Sequence, residues 1–144
     1  MKPDVVLIFA FGSKGTAPNA RLSHKAKVFG KIGVPVFTQW DLPVGNGTVF
    51  YAEDVLRFLE DWRSEWGFST LYIIRAFAYV VCRRGWKRVL ILAAPQHERR
   101  CLRDAQKYLL LSNSGVDISS YHWALPWRWY DPSSAQRFTR GPIR

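Results

Sequence analysis

Long apolar runs are missing from this sequence of 144 residues, and acidic residues and cysteines are few. No apolar run approaches the ~20 residues that a helix needs to cross a bilayer, so we expect no transmembrane segment. The first residues, Met1 to Asp4, lead directly into an apolar strand and lack the pattern of a secretory signal. The expected location is therefore the cytoplasm.

The two cysteines, Cys82 and Cys101, lie far apart and do not have the spacing of metal ligands. We expect two reduced, partly buried thiols rather than a disulfide. Cys101 follows Arg99 and Arg100, whose positive charges would lower the pKa of the thiol and make it reactive. The alternative is that Cys101 simply packs in the core.

The sequence has 11 acidic residues against 21 lysines and arginines, which gives a net charge of +10 and a pI near 10.1. Such a balance favours anionic partners: phosphates, nucleic acid or an acidic membrane surface. The alternative explanation is an arginine-rich composition inherited from a GC-rich genome. The cations are spread along the chain, and most aromatic residues fall on core-facing positions, so nucleic acid is the less favoured partner.

A hydrophobic content of 48% is typical of a folded domain, and the apolar blocks do not alternate with polar residues. Continuous apolar blocks are typical of strands buried on both faces, as in a parallel sheet. We therefore predict an α/β fold, a small Rossmann-like three-layer sandwich with a mainly parallel sheet. The domain covers 1–125, and an aromatic and basic tail covers 126–144. The predicted strands are 4–11, 34–38, 89–92 and 117–123, and the predicted helices are 19–30, 51–66, 70–84 and 98–111.

The segment from Lys87 to Asp104 has the clearest signal of a functional turn. An apolar strand ends at Ala93 and Ala94, Pro95 suits a turn or the first turn of a helix, and His97 follows. Ligands of open α/β sheets bind beyond the carboxyl ends of strands, where helix N-termini point. His97 is the candidate catalytic acid or base, and nearby cations and the helix dipole would hold it neutral. The alternative is a histidine that caps the helix.

Four further residues are candidates for binding an anion. Gly12 and Ser13 open a glycine- and hydroxyl-rich loop after the first strand, which is either an anion cradle or a plain turn. Arg21, in the first turn of the next helix, and Arg100 are either clamps on a carboxylate or phosphate, or partners of Glu53 or Asp104.

Three more polar residues lie where strands end or helices begin. Asp41 follows the second strand and either contacts ribose hydroxyls or is a solvated loop residue. Glu53 either pairs with Arg21 inside the pocket or is a solvated helix residue. Thr70 places a hydroxyl at the start of a helix. No group of His, Cys and acidic residues has metal-ligand spacing.

Three segments carry a recognisable pattern: an apolar strand with its loop and Arg21-Leu22, then Gly33 to Val36 with Glu53 and Ser69-Thr70, and finally Lys87 to Cys101. Together they resemble the YdcF-like family of bacterial α/β proteins. In the third segment, His97 and Arg100 fall on a histidine and an arginine of the family pattern. The resemblance covers roughly 4–125.

The resemblance implies a Rossmann-like fold and a small ligand, and one member of the family binds S-adenosylmethionine. It therefore implies S-adenosylmethionine as a possible cofactor. The sequence departs from the pattern where Ala93-Ala94 replaces Thr-Ser and where Tyr72 and Ile73 replace an acid and an amide.

Three classes of function remain from the sequence. The first is the binding of a small anionic or nucleotide-like ligand at the strand carboxyl edge, with or without catalysis. The second is an enzyme, a transferase or hydrolase that uses His97. The third is a basic interaction protein that associates with nucleic acid and has no catalytic activity.

Overall fold

The computed structural model describes residues 2–10, 17–59, 70–112 and 115–123. Strands and helices alternate along most of this length, as the apolar blocks predicted. In chain order the elements are β1 (Val5–Ile8), α1 (Ala17–Lys31), β2 (Val36–Thr38), β3 (Val49–Tyr51), α2 (Ala52–Phe58), α3 (Thr70–Arg84), β4 (Arg88–Leu92), α4 (Pro95–Ser112) and β5 (Asp117–Ser120).

The strands of the described residues form one sheet in the order β3-β2-β1-β4-β5, and every pairing is parallel. The central pair is β1 with β4, in register from Val5 opposite Val89 to Ile8 opposite Leu92. Asp4 reinforces this pair, because its Oδ2 accepts the backbone N–H groups of Lys87 and Arg88 at 2.8 and 3.0 Å. The predicted α/β sandwich with a parallel sheet is confirmed.

Two apolar cores lie on opposite faces of the sheet, because successive strand residues point to opposite sides. Val5, Leu7 and Phe9 face a core formed with α2, α3 and α4. Val6 and Ile8 face a second core formed with α1. Helix α3 is buried over most of its circumference, as its apolar sequence predicted.

Strand β3 was not predicted from the sequence. The sequence pattern indicated no strand between 38 and the predicted helix over 51–66. Instead, Val49–Tyr51 pairs with β2, and α2 follows at once from an N-cap, Tyr51, that makes no side-chain capping bond. The prediction failed because the same short apolar segment satisfies a strand and the start of an amphipathic helix equally well.

Other element boundaries shift by a few residues. The first and last strands are shorter than predicted, at Val5–Ile8 and Asp117–Ser120, and α4 begins at Pro95 rather than at Glu98. The strand β5 lies at one end of the described sheet. Among the helices that the structure describes, none has the length and apolar character to cross a membrane. The predicted tail, 126–144, lies outside the described residues.

Candidate functional site

The strand order places a topological switch point at the carboxyl ends of β1 and β4, where open α/β sheets form a crevice. From β1 the chain passes through α1 to β2 on one side of the sheet, while β4 lies on the other side of β1. The connections that leave these two adjacent strands therefore run in opposite directions, and ligands of open α/β sheets bind at such a point. Phe9 and Ala10, which follow β1, and the first turn of α4 lie at this edge. The predicted residues Gly12 and Ser13 lie outside the part of the chain that the structure describes.

His97 lies in the first turn of α4, on the sheet side of the helix. The carbonyl of Ala94 accepts hydrogen bonds from the backbone N–H groups of His97 and Glu98, each at 2.9 Å, which starts the helix. The side chain of His97 is only 7% exposed. Its ring meets Phe9, the residue after β1, edge-on with 6.4 Å between centroids. The histidine therefore links the ends of the two central strands.

Burial, together with a smaller effect of the positive charge of Arg100, lowers the pKa of His97 to about 4, while Asp104 opposes the shift. At neutral pH the imidazole is uncharged, so one ring nitrogen can accept and the other can donate a hydrogen bond. The sequence predicted a neutral histidine but gave the nearby cations as the cause, whereas burial is the larger one.

Arg100 and Cys101 occupy different environments one turn along α4. The guanidinium of Arg100 is 55% exposed and lies 3.8 Å from Asp104, the ion-pairing alternative that the sequence left open. Cys101 is fully buried, and burial raises the pKa of its thiol well above the usual range. Burial outweighs the lowering by Arg100, and Cys101 packs in the core, as the alternative predicted. Cys82 is exposed rather than partly buried, and both cysteines are free thiols.

Arg21 and Thr70 also lie toward the carboxyl edge. Arg21 is half-buried near the start of α1, the helix that follows β1. Thr70 is the first residue of α3 and is buried. Because α3 ends next to the amino end of β4, its first residue lies at the opposite, carboxyl edge of the sheet.

Asp41 and Glu53 are brought together at the carboxyl ends of β2 and β3. Oε2 of Glu53 accepts the backbone N–H of Trp40, the neighbour of Asp41, at 2.8 Å. Asp41 is exposed, as the solvated-loop alternative predicted. Glu53 is only 2% exposed, so the alternative of a solvated helix residue is wrong for it.

The carboxyl group of Glu53 sits in an environment that disfavours its charge. Burial raises its pKa, and the carboxylates of Asp41 and Asp54 raise it further, although the Trp40 N–H lowers it. Oε1 of Glu53 is buried and makes no hydrogen bond. This carboxyl therefore binds protons more readily than an ordinary glutamate does.

Trp123 contributes to this edge in a way that the sequence did not predict. Its indole N–H donates to the carbonyl of Ala93 at 2.9 Å, directly after β4. Its ring meets Tyr121 edge-on at 5.0 Å between centroids, and Tyr121 in turn meets Phe29 of α1. The sequence placed Trp123 in a strand, and the only available signal was an aromatic residue beside a predicted strand end.

A separate groove of about 420 Å³ opens toward the other end of β4 and β5, on the face that carries α1. It includes Arg88 and Asp117, the first residues of the two strands, together with Phe29, Leu90 and Ser119. It does not include any of the predicted site residues.

Among the described residues, no group of three or more His, Cys, Asp or Glu side chains is placed to hold a metal ion. No protein-family model matches the sequence, and no curated protein or solved structure is similar to it. Function is therefore inferred from the geometry of the carboxyl edge.

Proposed function

We propose that this protein binds a small anionic or nucleotide-like molecule in the crevice between the carboxyl ends of β1 and β4. The observation that carries the proposal is the buried, neutral His97 in the first turn of α4, at the point where the connections of the sheet diverge. The resemblance to the YdcF-like family makes S-adenosylmethionine the first ligand to test.

The residues around the crevice suit such a ligand. The N-terminus of α4 presents the positive end of the helix dipole to an anion. His97, uncharged at neutral pH, adds one hydrogen-bond donor and one acceptor. Arg21 and Arg100 supply positive charge, and the acids Asp41 and Glu53, at the ends of β2 and β3, supply acceptors for hydroxyl groups.

Ala93 and Ala94 bear on the choice between binding and catalysis. Both are buried where the strand leaves the sheet, and neither side chain can donate a hydrogen bond or act as a nucleophile. The proposal is therefore binding, with neutral His97 as a hydrogen-bond donor and acceptor to the ligand.

A thermal-shift screen with S-adenosylmethionine, adenine nucleotides and sugar phosphates tests the proposal. A ligand at 100 times its Kd adds about 2.7 kcal/mol, which corresponds to roughly 5–10 °C in Tm for a chain of this size. We expect one of these compounds to stabilise the wild type and His24→Ala, a control at an exposed histidine of α1, but not His97→Ala. Each shift is measured against the same variant without ligand. If no compound stabilises the wild type, or if His97→Ala responds fully, the proposal is wrong.

A further inference from the structure

A continuous series of aromatic rings and arginines crosses the β3 side of the molecule. We call it the aromatic–arginine band: Phe50 of β3, Phe58 of α2, Tyr79, Arg83 and Arg84 of α3, and Trp86. The Phe58 and Tyr79 rings lie 6.2 Å apart, and the Phe50 and Trp86 rings 5.7 Å apart. The adjacent residues Arg83 and Arg84 connect the two ring pairs.

Each arginine of the band lies over a ring of the band. The guanidinium of Arg83 is 4.9 Å from the centroid of Tyr79, and that of Arg84 is 4.9 Å from the centroid of Phe50. These distances are within the range of cation–π attraction. The rings therefore restrict the two guanidinium groups to defined positions on the surface.

The band exposes more apolar surface than folding requires. Phe58 is 73% exposed at the end of α2, and Phe50, Tyr79 and Trp86 are half-buried. A large aromatic side chain left this exposed beside arginines is typical of an interaction surface.

The band is separate from the crevice proposed to bind the small ligand. Helices α2 and α3 both run from the carboxyl edge toward the amino edge of the sheet, and the band lies on their later residues. His97 lies at the opposite edge. A partner on the band therefore leaves the crevice accessible.

We propose that the aromatic–arginine band binds single-stranded nucleic acid. Unpaired bases stack on exposed aromatic rings and on guanidinium planes, while arginines contact the phosphates. The net charge of +10 favours such a polyanion over long range. Arg57, which lies 4.7 Å from the ring of Trp40, and Arg75 are further exposed arginines of α2 and α3. A purely acidic peptide such as polyglutamate would pair with the arginines but has no planar ring to stack on Phe58.

Fluorescence anisotropy with labelled oligo(dT) and oligo(U) of 12 nucleotides measures this binding. We expect Arg83→Glu/Arg84→Glu to weaken it at least tenfold and to reduce the slope of log K against log [NaCl] by about 1.4, because two phosphate contacts are lost. Phe58→Ser should weaken binding about fivefold or more and leave the slope unchanged, because it removes stacking and no charge. Circular dichroism checks that each variant is folded.

The matched control is Lys27→Glu/Lys31→Glu, which makes the same charge change at two exposed positions of α1, on the other face of the sheet. We expect it to retain most of the affinity. Equal loss in this control, no binding by the wild type, or equally tight binding to polyglutamate or to anionic vesicles would overturn the proposal. His97→Ala should bind the oligonucleotide normally, and Arg83→Glu/Arg84→Glu should keep its thermal shift with the small ligand, so the two proposals can fail separately.

Discussion

The imidazole of His97, in the first turn of α4, is buried against Phe9. This burial is the main reason that its pKa is lowered to about 4. An unfolded chain offers no such shielding, and its histidines titrate near pH 6.5. Between these two values the unfolded state therefore binds a proton that the folded state excludes.

Stability should therefore fall as the pH decreases from about 6.5 to about 4, with a loss of about 3 kcal/mol from His97 alone. The contribution is fully present above pH 6.5. Urea denaturation at pH 7, 6 and 5 measures it, and His97→Gln should make the dependence shallower over that range. His24→Gln, at an exposed position of α1, should keep the slope of the wild type. Equal slopes for the wild type and His97→Gln would contradict the role of burial.

The protonation state of a side chain could be predicted from the sequence only where its neighbours in the chain determine the pKa. The neutral state of His97 was predicted because Arg99 and Arg100 follow it, and the direction is right. The same reasoning fails for Cys101, whose burial raises the pKa that the arginines were expected to lower. Burial depends on packing across the sheet, which local sequence does not show.

At the scale of elements, the strands with long apolar blocks were predictable and β3 was not. Val49–Tyr51 is three residues long and passes into α2 with no turn residue between them. This one omission also concealed the aromatic–arginine band. Without β3, Phe50 has no place beside Arg84, and the arginines look scattered along the chain.

The loop before β3 depends on glycine at one position. Gly47 has a φ of +74°, and a Cβ built there would lie 3.2 Å from the carbonyl oxygen of Gly30 in α1. We expect Gly47→Ala to reduce the free energy of unfolding by about 1–3 kcal/mol, because the backbone conformation is unfavourable for alanine. Gly45→Ala is the matched control, since no atom lies within 4 Å of its Cβ, and it should change stability by less than about 1 kcal/mol. Chemical denaturation compares the two, and equal effects would show that this loop does not depend on Gly47.

At the scale of the whole molecule, the two cores cover both faces of the sheet and bury Cys101 completely while Cys82 stays exposed. Only the exposed thiol is open to reagents in the folded state. Reactivity of the buried thiol therefore reports opening of the α3–α4 side of the core.

We expect Ellman's reagent to modify one thiol quickly in the native protein and the second only as the protein unfolds. Cys82→Ser should remove the fast reaction, because the Cys101 thiol is buried and its pKa is raised. Increasing urea should restore the second reaction in parallel with loss of the circular dichroism signal. A fast reaction in Cys82→Ser without denaturant would show that α4 opens independently of the rest of the fold.

The clamp that Asp4 makes with Lys87 and Arg88 has a consequence for how the chain acquires its fold. The central pair of the sheet joins segments 83 residues apart, so loop closure must precede most of the stabilising contacts. At roughly 5–20 residues per second, a ribosome needs about 4–17 s to supply the second segment after the first. For that time the apolar residues of β1 have a partner on at most one edge. Synthesis thus passes through a stage in which the open edge of a hydrophobic strand is accessible to chaperones or to aggregation.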